Sequence, residues 1–159
     1  MEYSEYLIYS ARLGDLEAVK ECLTEGEAPI DSVDPESKNT ALHMAAANGH
    51  AEVASHLIAS GANINLTNES GNTPLHWASI GNKFDVVKLL CEKKAEKQTE
   101  GGNGIVMDTN IKNCFGRLAM EEALLYGFSD VADFLAPLTK MEEDKLYYSS
   151  TNLDEEPEN

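Results

Sequence analysis

The segment TALHMAAANGHAEV, Thr40 to Val53, returns as TPLHWASIGNKFDV, Thr73 to Val86, at an offset of 33 residues, and NTALH and NTPLH open the two copies. A period of this length constrains the fold more than any local propensity does, because so short a unit cannot bury its own apolar face and must stack on neighbours. Each position has a physical reading. Thr40 and Thr73 can accept from orphan backbone N–H groups at the start of a first helix, and Pro74 stands in its first turn, where a missing donor is harmless. Leu42, Ala45 and Ala46, and likewise Leu75, Ala78 and Ser79, recur at i, i+3, i+4 and form a seam whose small residues let adjacent units approach closely. Gly49 permits a left-handed turn, and its counterpart Asn82 is the next most tolerant residue for positive φ. A second helix follows in each copy, carried by Val53, Leu57 and Ile58 and by Val86, Val87, Leu90 and Cys91.

The period, the T-P-L-H start, the two-alanine first helix and the Gly-bounded turn resemble ankyrin repeats. The resemblance implies an all-α solenoid of about four helix-turn-helix repeats with short hairpin loops, and a concave face made by the first helices and the hairpin tips. It also gives Thr40, Leu42, His43, Gly49, Thr73, Pro74, Leu75 and His76 the role of a structural signature, with each imidazole tying its turn together by hydrogen bonds. Two weaker units flank the pair: Gly14, Glu17 and Leu23 align with Gly49, Glu52 and Ile58 at an offset of 35, and Gly127, Asp130, Val131 and Leu135 align with Gly49, Glu52, Val53 and Leu57 at an offset of 78. The expected repeats are 3–36, 37–69, 70–106 and 107–136, within a domain 1–136. The connection from Thr73 to its counterpart Leu118 is 45 residues, 12 more than the period, so Gly-rich EKQTEGGNGIVMD is expected as a mobile insertion on the hairpin side. In 137–159, Thr139 with Glu142 marks the start of a capping helix through Tyr147, with Leu138, Met141 and Tyr148 as its apolar stripe and an acidic tail after it.

Charge narrows the partners. Twenty-eight acidic against 12 basic side chains leave a net charge of −16, which repels phosphate backbones and anionic lipid and favours a basic protein. Neither nucleic acid nor a membrane is expected to bind directly. The chain has no basic residue before Arg12, so no leader is expected, and no apolar run nears the roughly 20 residues of a membrane helix. Cys22, Cys91 and Cys114 are odd in number and far apart, which fits a reducing compartment; the expectation is a cytoplasmic protein that also enters the nucleus. Cys22 and Cys91 fall on apolar helix positions, and Cys114 on a hairpin tip.

No nucleophile, base and acid converge, and His43, His50, His56 and His76 lack ligand spacing, so neither enzyme activity nor a metal nor a cofactor is expected. GGNG at Gly101 to Gly104 lacks the strand and the Gly-Lys-Ser/Thr of a phosphate loop. A binding protein, expected as a monomer, is the reading that fits.

Alignment nominates the face. The position after the TPLH histidine reads Tyr9, Met44, Trp77 and Glu122 along the repeats; the next outward ones read Arg12, Ala47, Ile80, Leu125 and Leu13, Asn48, Gly81, Tyr126. Aromatic side chains in such a row are typical interface anchors, with the alternative that Trp77 folds back as core left open. Residues 1–36 hold ten acids and two bases, net −8; 37–136 hold eleven and eight, net −3; 137–159 hold seven and two, net −5. Hairpin tips add Asp34, Glu36 and Glu69. The expected partner-binding set is therefore Tyr9, Arg12, Asp34, Glu36, Met44, Glu69, Trp77, Ile80, Glu122 and Tyr126, facing an apolar helix or loop flanked by Lys and Arg.

TALHMAAANGH and TPLHWASIGNKFDVVKLLCE, with a weak last repeat after Phe115-Gly116 and an acidic tail, also resemble the small fungal ankyrin chaperones dedicated to small-subunit ribosomal protein S-three. That resemblance implies shielding of a basic ribosomal client and its escort to pre-ribosomes. The chain departs from that pattern in the short link between its two strong repeats and in the 12-residue insertion. An ankyrin adaptor or inhibitor in signalling, holding a folded partner on the same face, is the second reading.

Overall fold

A computed structural model describes residues 2–25, 27–92 and 107–139. The insertion and the capping helix expected after Thr139 lie mainly outside those residues. Four helix pairs follow one another: α1 Tyr3–Leu13 with α2 Leu16–Thr24, α3 Ala41–Asn48 with α4 Ala51–Ala59, α5 Pro74–Ile80 with α6 Phe84–Glu92, and α7 Ala119–Leu125 with α8 Ser129–Leu135. A 3-10 turn, Ala136–Leu138, ends the described chain. First helices stack on one another in the order α1, α3, α5, α7, and second helices form a looser outer layer.

Close stacking follows from the seam. Ala45, Ala46 and Ala78 are fully buried, and the larger Leu7, Leu42, Leu57, Leu75, Leu90 and Leu135 fill the space between layers. Ser79 takes the place of Ala46 in the third pair; it is buried and its hydroxyl has no hydrogen-bond partner. Cys22 and Cys91 are buried, and Cys114 is exposed. Asn82 adopts φ +53° and turns α5 into α6 as Gly49, at φ +78°, turns α3 into α4.

The two histidines do more than close a turn. The Thr40 N–H donates to His43 Nδ1 at 3.1 Å, so the ring proton is on Nε2, which donates to the Asn72 carbonyl at 2.9 Å. His76 repeats the arrangement, accepting from the Thr73 N–H at 3.2 Å and donating to the Arg117 carbonyl at 3.0 Å. Each imidazole thus joins the start of its own first helix to the hairpin of the next repeat. The tips also bond directly, Glu69 N–H to the Ser37 carbonyl at 2.9 Å and Cys114 N–H to the Ser70 carbonyl at 3.0 Å. A side chain at Gly71 would meet the Cys114 nitrogen at 2.8 Å, so the second hairpin requires glycine there.

Beneath the tips runs a ladder of asparagines. Asn68 Nδ2 donates to Asn39 Oδ1 at 2.9 Å, and one repeat on Asn113 Nδ2 donates to Asn72 Oδ1 at 3.0 Å. This ladder overturns one expectation. Glu122, aligned with exposed concave positions, is only 3% exposed: its Oε1 accepts from Asn113 Nδ2 at 2.7 Å and lies 3.7 Å from Arg117 Nη1. The third hairpin draws the carboxylate inward, because the Asn113 amide and the Arg117 guanidinium offer it donors that solvent would otherwise supply.

Two stability predictions follow from these buried groups. Burial, with the repulsion of His76 as a smaller contribution, drives the His43 pKa from 6.5 down to about 4, and burial lowers that of His76 too. Because the folded values are depressed, the unfolded chain takes up protons first; the contribution is full above the unfolded value of 6.5 and is lost as pH falls toward about 4. Between pH 7 and pH 5 His43 alone should remove about 2 kcal/mol, read from urea midpoints, whereas a flat profile over that range would contradict the bridging role. Glu122→Ala should cost about 1–3 kcal/mol by stranding the Asn113 amide. Unchanged urea stability with lost partner affinity would return Glu122 to the binding face.

Candidate partner-binding groove

Between α1, α3 and the first hairpin lies a groove of about 670 Å³. Tyr9, Arg12, Asp34, Met44 and Trp77 of the expected set line it together. Helical spacing explains their convergence. Tyr9 and Met44 are equivalent positions on successive first helices, Trp77 is the next, and the first hairpin, closed by the Val33–Thr40 bridge, lines the same groove. Tyr9 is 49% exposed, while Met44 and Trp77 are half-buried.

Other expected residues stand elsewhere. Glu36 and Glu69 are exposed at hairpin tips outside the groove lining, Ile80 is half-buried at the end of α5, and Tyr126 is exposed after α7, stacked on Phe128 at 6.4 Å between ring centroids. Glu122 belongs to the interior, as described above.

Several lining residues escaped sequence reasoning. Glu2 and Glu5 bring carboxylates from the start of α1, Ile8 and Val33 add apolar surface, and Asn39 closes the floor. Val33, 46% exposed, was legible only as an apolar residue stranded in the turn-rich DSVDPESKNT. Asn39 was visible in the NTALH and NTPLH pair, but nothing in the spacing assigned it a contact.

The electrostatics of the lining are mainly acidic. Asp34 Oδ1 accepts from the Ser37 N–H at 2.7 Å, from the Ser37 hydroxyl at 2.7 Å and from the Glu36 N–H at 3.2 Å. Those donors, the Ser37 N–H first, hold its carboxyl below the usual range, so Asp34 stays ionised in mild acid. Glu2, Glu5 and Asp34 face one basic lining residue, Arg12. Apolar rings and carboxylates share this concavity, a combination that suits binding of a cationic chain. Among the described residues no group of His, Cys, Asp and Glu is arranged to hold a metal ion, and no helix is long and apolar enough to cross a membrane.

The family described as ankyrin repeats in three copies matches residues 7–101. Ankyrin repeat-containing protein YAR1 of Saccharomyces cerevisiae is 38% identical over 146 residues, covering 84% of this chain and 68% of that protein. Protein phosphatase 1 regulatory subunit 12A of Mus musculus is 33% identical over 106 residues, 64% of this chain but 10% of its own length. Glycerophosphocholine phosphodiesterase GDE1 of Candida albicans is 31% identical over 150 residues, 92% of this chain and 12% of that protein. The last two are thus matched over a small part of much longer proteins, whereas the yeast relative is matched along most of its length. With its TPLH bridges, stacked helix pairs and this likeness over the greater part of the sequence, the chain belongs to the ankyrin-repeat family of protein-interaction modules.

Proposed function

We propose that the protein is a non-catalytic chaperone that holds a basic ribosomal protein, small-subunit ribosomal protein S-three, in the concave groove and escorts it from the cytoplasm to pre-ribosomes in the nucleus. The observation that carries this reading is the groove itself: Tyr9, Met44 and Trp77 supply apolar contact, and Glu2, Glu5 and Asp34 supply charge of the sign a ribosomal protein needs. The net charge of −16 extends that field beyond the groove and favours encounter with a polycation. Likeness to the yeast ankyrin protein along 84% of this chain supports a shared architecture beyond single repeats. The resemblance carried by Trp77 and KFDVVKLLC supports the client class. Shielding needs no turnover; it requires only that bound client be kept from nucleic acid and from itself.

Affinity capture from cytosol, eluted in steps of salt, tests the client. Small-subunit ribosomal protein S-three should be enriched and should leave steeply between low and physiological salt, since exposed charge contacts are screened over about 8–10 Å. Capture of a folded signalling partner that is insensitive to salt would replace this reading with the adaptor one. Trp77→Ala should weaken client binding by more than about 1 kcal/mol with helix content unchanged by circular dichroism. Loss of helix content instead would make Trp77 a core residue.

A further inference from the structure

The indole of Trp77 is turned in an informative way. Its Nε1–H points down to Asn39 Oδ1 at 3.3 Å, and the same oxygen accepts from Asn68 Nδ2 at 2.9 Å. Asn39 is 8% exposed, and both lone pairs of its carbonyl oxygen are engaged. Trp77 therefore has no donor left for a partner and offers the groove its ring. The equivalent place in the next repeat shows that this is not automatic: there the residue is Glu122, drawn inward by the ladder amide of Asn113. Trp77 instead lines the groove together with Tyr9, Glu5 and Asp34.

An aromatic wall that shares a groove with carboxylates discriminates between cations. Guanidinium is planar, weakly hydrated and able to stack on a ring while pairing with a carboxylate; ammonium is compact, strongly hydrated and loses more on leaving water. We infer that the groove is an arginine slot, in which Asn39 holds the Trp77 ring as a wall for a guanidinium of the partner and Glu5 and Asp34 pair with its edge. The inference deepens the proposed function by naming the side chain recognised, and it rests on reading the concave face as the site for a basic partner. Asn39 acts through Trp77 and is a positioning residue.

The test needs no identified client. Trp77 is the chain's one tryptophan, so its emission reports the slot directly. The full chain is titrated at one ionic strength with hexa-arginine and with hexa-lysine, which carry equal charge. Hexa-arginine should shift the emission and bind at least about fivefold more tightly, a difference of the size expected for stacking at a partly exposed site. Asn39→Ala should expose Trp77 to acrylamide quenching and bring the two affinities together, while Asn39→Asp, which keeps an acceptor for the indole, should retain the preference. Equal affinities in the native chain would overturn the slot, and a preference that survives Asn39→Ala would overturn the role of Asn39. Should Asn39→Ala lose helix content, Trp77→Leu measured by calorimetry carries the test: an apolar wall without a ring should abolish the preference, and its persistence overturns the proposal. An arginine preference in a chain that captures no ribosomal protein would leave the slot standing and remove the chaperone reading; the reverse pattern would do the opposite.

Discussion

The stack depends on an imidazole that faces two ways. With Nδ1 accepting from a threonine N–H, His43 and His76 are committed to the neutral tautomer whose Nε2–H reaches the carbonyl of the following hairpin. One side chain thereby sets the start of a helix and the position of the next repeat. Protonation would place two donors face to face at Nδ1, and burial already disfavours the charge. In the fourth repeat the pair is gone: Leu118 offers no oxygen, and Glu121 Oε2 accepts from the Leu118 N–H at 2.9 Å. That carboxylate closes the turn locally but has no ring N–H to send to a further hairpin.

Asymmetry along the stack creates the groove. Equivalent concave positions carry Tyr9, Met44 and Trp77 in the first three repeats and buried Glu122 in the fourth. Apolar rings and half of the acidic excess therefore meet at the N-terminal end, where residues 1–36 have a net charge of −8. The fourth repeat instead turns its carboxylate into the ladder and presents Leu125 and Tyr126 to solvent, 59% and 55% exposed. The groove's carboxylates thus lie at one end of the concave face, and exposed apolar side chains are present at both.

Much of the architecture was legible because the period makes every local signal repeat. The Thr caps, Pro74, the small-residue seam and the left-handed Asn82 all follow from the chemistry of single positions, and each takes its place in the structure. The concave row was readable for the same reason, since a helix with 3.6 residues per turn fixes which positions share a face. Hydrogen-bond partners between repeats were not legible. Asn39, Asn68, Asn72 and Asn113 look like turn residues in the sequence, and their side-chain bonds link positions 29 and 41 residues apart.

What the sequence determined by itself was the repeat, the order of the helices, the acidic balance and the row of residues from which a binding face could be drawn, because each depends on residue type and spacing alone. The tertiary structure decided which members of that row stay at the surface. Glu122 and Trp77 hold equivalent positions, yet ladder asparagines bury the carboxylate and turn the indole N–H downward, leaving its ring in the groove. That outcome depends on which donors and acceptors the neighbouring hairpin brings within 3.5 Å, a matter of packing between repeats that no spacing within one repeat encodes.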